Sequence, residues 1–249
     1  MLKAVLFDLD NTLIFFDEMK FAGLFFPGLA ARFADIMPAE EFGGQLLSAT
    51  LEAHKNDGSM TNRELFVNTF IKGTNLSPDA VWKRFIQYYD EDFDAVKGTM
   101  TVPGNARDVL QAILDLQVKL VVATNPILPI NAQRKRLSWA GLAGIPFSLV
   151  THIDNMSYCK PHLGYYRQIC GLIAERPEDC LMVGDDPAND MVAARIGMKT
   201  FRTVDSLEHS EKPLELSKQV IGDNTEGIPP ADFEGPLSSV PGAVQDLLG

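Results

Sequence analysis

Short runs rich in apolar and β-branched residues recur along the chain at Lys3–Phe7, Lys119–Ala123, Phe147–Val150, Cys180–Val183 and Lys199–Thr203. They are continuous rather than alternating, the pattern of strands buried on both faces of a parallel sheet. Between them the apolar period changes to that of helices. Ala106–Gln117 carries Val109, Leu110, Ile113 and Leu114 on one stripe, Asn131–Ala140 stops at Gly141, and Tyr165–Ala174 and Ala188–Ile196 repeat the pattern. Strands alternating with helices predict an α/β fold, a doubly wound, Rossmann-like parallel sheet. A last strand near Asp232–Glu234 and a helix over Val240–Leu248 close it, after a polar, Pro- and Gly-containing excursion from Asp205 to Pro230.

One connection is far too long. A crossover between parallel strands needs about a dozen residues or more, yet roughly Phe16 to Gly98 separates the first two strands, with helical patterns at Arg63–Ile71 and Pro78–Tyr89. This predicts an inserted helical domain over 16–98, hinged near Phe15–Glu18 and Lys97–Pro103, on a core of 1–15 and 99–249. Its aromatic cluster, Phe15, Phe16, Phe21, Phe25 and Phe26, reads first as internal packing or the seam between the units, and second as the wall of an apolar pocket.

Composition then narrows the function. With 22 basic and 33 acidic residues the formal charge is −11, which argues against a protein that neutralises a nucleic-acid backbone. Three cysteines without a CxxC pair indicate neither a disulfide framework nor a zinc site and suit a reducing cytoplasm. No apolar stretch is long and clean enough for a membrane span.

Polar residues interrupt the pattern where the strands end. Asp8 and Asp10 follow the first strand, Thr124 and Asn125 the second, Lys160 lies in the loop after the third, and Asp185, Asp186 and Asp190 follow the fourth. In open α/β sheets ligands bind at the carboxyl ends of strands, where strand order reverses. Several carboxylates gathered there repel one another unless a cation joins them, and a hard divalent ion such as Mg²⁺ takes oxygen ligands while keeping room for a substrate phosphate. Lys160, Thr124 and a helix N-terminus after Pro126 or Pro129 complete a phosphate cradle.

DLDNT, the Thr of VVATN, the Lys of CKP and the GDDPAND stretch resemble, in order and approximate spacing, the four motifs of the haloacid dehalogenase superfamily, in its phosphatase branch. The resemblance covers Met1–Phe15 and about Gly98–Thr203, and the helical insertion is similar in position to that family's type-1 cap. It implies Asp8 as the nucleophile, Asp10 as general acid and base, and Thr124, Asn125 and Lys160 as phosphate ligands. It further implies Asp8, Asp185 and the Asp10 carbonyl at Mg²⁺, with Asp190, or alternatively Asp186, as the second acid of the last motif. Superfamily dehalogenases lack an acid at the position of Asp10, and its mutases usually carry Gly at the position of Asn11. The expected activity is hydrolysis of a small phosphorylated metabolite. A phosphomutase, or a phosphate-binding regulatory protein without turnover, is the alternative. Arg134, Lys135 and Arg136 read first as a solvated helix face and second as a basic run that attracts an anionic substrate, the four histidines receive no role, and Lys20, Arg63, Lys72 and Lys83 are possible anion contacts only. Oligomeric state stays open.

Overall fold

The computed structural model of the chain describes residues 1–205 and 227–249, so most of the polar excursion lies outside the described residues. Strand β1 (Ala4–Phe7) is fully buried and pairs in parallel with β4 (Lys119–Val122) on one side and β6 (Cys180–Gly184) on the other. Beyond them lie β5 (Leu149–Val150), β7 (Lys199–Thr203) and β8 (Phe233–Gly235), giving one parallel sheet in the order β5-β4-β1-β6-β7-β8. Successive side chains of a strand point to opposite faces. Val5 and Phe7 therefore join a core layer with Leu120, Val122, Leu181 and Val183, while Ala4 and Leu6 join the opposite layer with Val121, Cys180 and Met182. Both faces are apolar because helices cover both. On the Phe7 side sit α5 (Ala106–Asp115) and the carboxyl-terminal helix α8 (Val240–Leu248), on the Leu6 side α7 (Leu163–Ile173). The doubly wound sheet expected from the pattern is thus present.

One expected helix differs. Residues from Met191 to Ile196 form a short 3-10 helix, not the longer helix anticipated over Ala188–Ile196. Asp186 accepts bonds from the backbone N–H groups of Ala188 and Asn189 at 2.8 and 3.3 Å, a side-chain turn that competes with helical bonding, and Gly197 at φ 91° ends the segment.

The long crossover holds α1 (Glu18–Ala31), α2 (Ala39–His54), α3 (Asn62–Phe70) and α4 (Pro78–Glu91). Where it leaves and rejoins the sheet layer, β2 (Phe15–Phe16) pairs antiparallel with β3 (Met100–Thr101). Its interior is aromatic, with Phe33, Phe42, Phe66, Phe70 and Phe85 packed ring on ring, and it continues into Ala132 of α6 (Ile130–Trp139) and Ile153 of the sheet layer. The start of α3 is fixed to the sheet layer by backbone bonds from Asn62 to Met156 at 2.8 Å and from Arg63 to Ile153 at 3.0 Å. No helix among the described residues is long and apolar enough to cross a membrane.

Candidate active site

β4 and β6 flank β1, and the connections diverge from there, so the reversal of strand order falls at the carboxyl end of β1. Asp8 stands at that end, its N–H donating to the Val183 carbonyl at 2.8 Å. The chain then turns tightly: Leu13 and Ile14 donate to the Leu9 carbonyl at 3.0 and 2.9 Å, and Leu9 itself is fully buried. The turn needs a left-handed residue, supplied by Asn11 at φ 57°, which a short polar side chain tolerates better than a branched one. Two acids separated by one buried leucine are thereby both presented above the sheet edge.

Lys160 is the electrostatic centre. Its ammonium lies 3.0 Å from Asp8 Oδ1 and 2.6 Å from Asp190 Oδ1, with Lys160 only 3% exposed and Asp190 fully buried. Burial works to lower the Lys160 pKa, but the charges of Asp190 and Asp8 hold it well above the usual lysine range. Burial likewise pushes Asp190 up to about 7, against the pull of Lys160. Asp190 Oδ2 also accepts the Asp186 N–H at 3.2 Å and lies so close to Gly184 that a Cβ there would overlap its carboxylate. Asp186 faces the turn instead, its second oxygen accepting the Asn189 side-chain amide at 2.7 Å. Of the two candidate acids, Asp190 is the one brought to Lys160.

Thr124 is buried at the end of β4, and its carbonyl accepts hydroxyl bonds from Tyr165 at 2.9 Å and Thr151 at 2.6 Å. Asn125 accepts the Lys160 backbone N–H at 3.1 Å, and its amide nitrogen lies 3.4 Å from His54 Nε2. Because His54 Nδ1 donates to the Thr50 carbonyl at 2.8 Å, Nε2 is left as the acceptor. Burial pushes the His54 pKa down, in keeping with a neutral ring.

Asp8, Asp185 and Asp190 each place an oxygen within 4.8 Å of the others. With Asp10 they make four carboxylates against two cations, Lys160 and Arg136. The hard oxygen donors and the surplus of two negative charges fit a divalent cation of the magnesium kind.

Three expectations need correction. Arg136 is not on a solvated face: it is 4% exposed, ion-paired with Asp10, bonded to Gln133 at 3.1 Å and set over the Phe16 ring at 5.4 Å. Burial pushes its pKa down to about 10, with the Asp8 charge opposing. The signal was available, since Ala132 and Arg136 stand one helical turn apart, as do Gln133 and Leu137, and all four are buried. Arg134 is exposed as expected, and Lys135 reaches Asp94 at 3.1 Å. His54, given no role from sequence, stands at the site. Finally, Phe16, Phe21, Phe25 and Phe26 line a cavity of about 790 Å³ that reaches Asp10 and Arg136, so the pocket reading of the aromatic cluster holds alongside the packing one. The possible anion contacts lie elsewhere: Lys20 pairs with Asp17, Arg63 with Asp154, and Lys72 and Lys83 are exposed away from the cavity lining.

This geometry is that of a carboxylate-bearing strand end on a doubly wound sheet. A family model of haloacid dehalogenase-like hydrolases matches residues 2–197, and the chain belongs to that family. Among curated relatives it is 29% identical over 198 residues to a phosphoglycolate phosphatase of Chromobacterium violaceum, covering 78% of this chain and 81% of that protein. It is 27% identical over 162 residues to haloacid dehalogenase-like hydrolase domain-containing protein 3 of Xenopus laevis, covering 63% of this chain and 62%, somewhat under two thirds, of the relative. Its fold is similar to that of a 2-haloacid dehalogenase from Pseudomonas syringae, with a TM-score of 0.60, 19% identity and 99% and 100% of the two chains covered. A family hydrolase from Bacillus subtilis solved with magnesium matches at 0.53 and 21% identity, with 98% of each chain covered.

Proposed function

We propose that this hydrolase is a Mg²⁺-dependent phosphomonoesterase working through an aspartyl phosphate. The observation that carries it is the placement of Asp8 and Asp10 together at the end of β1, one beside Lys160, the other opening on a substrate-sized cavity. Asp8 would attack phosphorus, forming a new P–O bond as the bond to the leaving oxygen breaks. Asp10 would give that oxygen its proton, then take one from the water that cleaves the phosphoenzyme, releasing phosphate and restoring Asp8. Lys160, with Thr124 and Asn125, would hold the transferring oxygens by charge and hydrogen bonds. Asp8, Asp185 and the Asp10 carbonyl would hold Mg²⁺, which supplies charge neutralisation at the phosphoryl group. Asp190 positions Lys160.

In the same proposal 16–98 is a helical cap over a core of 1–15 and 99–249, and the cytoplasm is the compartment, in keeping with three free, buried thiols. The phosphatase relative in Chromobacterium supports hydrolysis of a phosphate ester. An acid at position 10 favours phosphate esters over haloacids, in spite of the fold shared with dehalogenases. The test is phosphate release from a panel of monoesters with and without Mg²⁺. Release should require the metal, Asp10→Asn should slow it by about 10²–10⁴, and full activity in Asp8→Asn would sink the proposal. Isomerised sugar phosphate without net phosphate release would mark a mutase, and tight phosphate-ligand binding without turnover a regulatory protein.

A further inference from the structure

The cavity beside Asp10 is much larger than a phosphoryl group requires. Its roughly 790 Å³ falls in the range of about 300–1,000 Å³ typical of small-molecule sites. A ladder of rings runs along it, outward from the acid. Arg136 lies over Phe16, Phe16 stacks on Phe21 at 5.5 Å, Phe21 on Phe25 at 5.1 Å, and Phe25 meets the half-exposed Phe26 edge-on at 5.3 Å. Leu46 and Leu47 of α2 form the facing wall.

Apart from the Tyr89 hydroxyl, the polar side chains of the lining are already engaged within the protein. Asp10 and Arg136 bind each other, Asn125 and His54 are paired, the Thr50 hydroxyl is returned to the Leu46 carbonyl at 2.8 Å, and Glu18 has a partner as well. A sugar or a hydroxy acid entering here would lose its water without regaining equivalent hydrogen bonds, which costs affinity. A hydrocarbon would bury apolar surface against apolar surface.

We propose that the leaving group is an apolar alcohol: the substrate class is the phosphate monoester of an alkyl or aryl alcohol, with its hydrocarbon laid along the Phe16–Phe26 ladder and the ester oxygen at Asp10. This rests on the phosphatase function proposed above. The cavity opens to solvent near Phe26, Leu47 and Gly43, so a chain longer than the cavity projects outward.

The experiment is hydrolysis by the full chain, with Mg²⁺, of n-alkyl phosphates from ethyl to decyl, with phosphoglycolate and glycerol phosphate as polar comparisons. The expected kcat/KM rises about threefold to fourfold per added methylene, which is the ~0.8 kcal/mol of burying one CH₂, and levels off once the chain reaches the rim. Gly43→Phe, at a helical position where an added Cβ meets open space, should bring that plateau to shorter chains. Equal rates at all lengths, or preference for the polar esters, overturns the inference and leaves the phosphatase proposal standing. If no ester is hydrolysed, the phosphatase proposal falls, and thermal shift with the same alkyl phosphates decides the cavity's preference. A midpoint rising with chain length supports an apolar ligand, and a flat response overturns it.

Discussion

Replacing Lys160 with methionine removes the ammonium while keeping a stem of similar length, which isolates the charge at the centre of the site. In the wild type that ammonium sits 3.0 Å from Asp8 and 2.6 Å from Asp190. Removing one member of a buried pair costs about 3–5 kcal/mol when the other stays charged, but Asp190 has an escape, because it can take a proton. Its folded value of about 7 lies above its unfolded value of 3.8. Between those values the folded state keeps a proton that the unfolded chain has released, so this group makes stability fall as pH rises across the window. Without Lys160 the folded value moves higher and the window extends upward. At pH 5 Asp190 is neutral in both folded proteins, and the variant should lose only about 1 kcal/mol, for the bond to Asp8. Above pH 7 the difference should grow by about 1.4 kcal/mol per pH unit, reaching about 4 kcal/mol at pH 9. That equals a midpoint lowered by about 8–16 °C for a chain of this size. Thermal melts of Lys160→Met, Asp190→Asn and the double variant, in chelator across pH 5–9, provide the measurement. The double variant should recover most of the loss at pH 9, since it buries no charge. A Lys160→Met deficit that is equal at pH 5 and pH 9, or that persists undiminished in the double variant, refutes the assignment of Lys160 as counter-charge to Asp190.

His54 should add acid sensitivity of the opposite sign. Burial holds its folded pKa below 6.5, so the unfolded chain binds the proton first and stability falls as pH drops below about 6.5; urea midpoints at pH 7.5 and 5.5 should show a smaller acid loss in His54→Phe. Gly184→Ala forces a Cβ into the Asp190 carboxylate, and overpacking of this kind should cost about 1–3 kcal/mol in urea melts, together with loss of phosphate release. Mg²⁺ at a hundred times its dissociation constant should stabilise the protein by about 2.7 kcal/mol, and Asp185→Asn should remove most of that shift in a thermal melt.

The parts of this molecule legible in the sequence are those where a residue's environment follows from its neighbours in the chain. β1 shows as Ala4–Phe7 because a strand covered on both faces admits no polar residue, and the carboxylates stand out because they follow such runs directly. Boundaries were less legible: β5 is only Leu149–Val150, two residues shorter than the apolar run suggests, since one neighbour, β4, fixes its length. Arg136 was hidden by its company, because in a row with Arg134 and Lys135 only the position relative to Ala132 distinguishes the buried cation from the exposed one.

The aromatic wall was hidden for a different reason. Phe21 and Phe25 recur at helical spacing on α1, and that spacing says they share a face without saying what the face meets. The same stripe serves interior packing when α2 closes over it and a ligand cavity when α2 stands off. Phe25 does both here, meeting Tyr88 edge-on at 5.6 Å in the interior while lining the cavity beside Phe21. Chemistry at the strand ends and selectivity beneath the helices are therefore encoded differently. The first is written in residue types at fixed points of the sheet, the second in the distance between two helices, which no residue of either specifies alone. On the proposed reading, a substitution at the mouth, such as Gly43, would change which alcohol is accepted while Asp8, Asp10 and Lys160 keep their places.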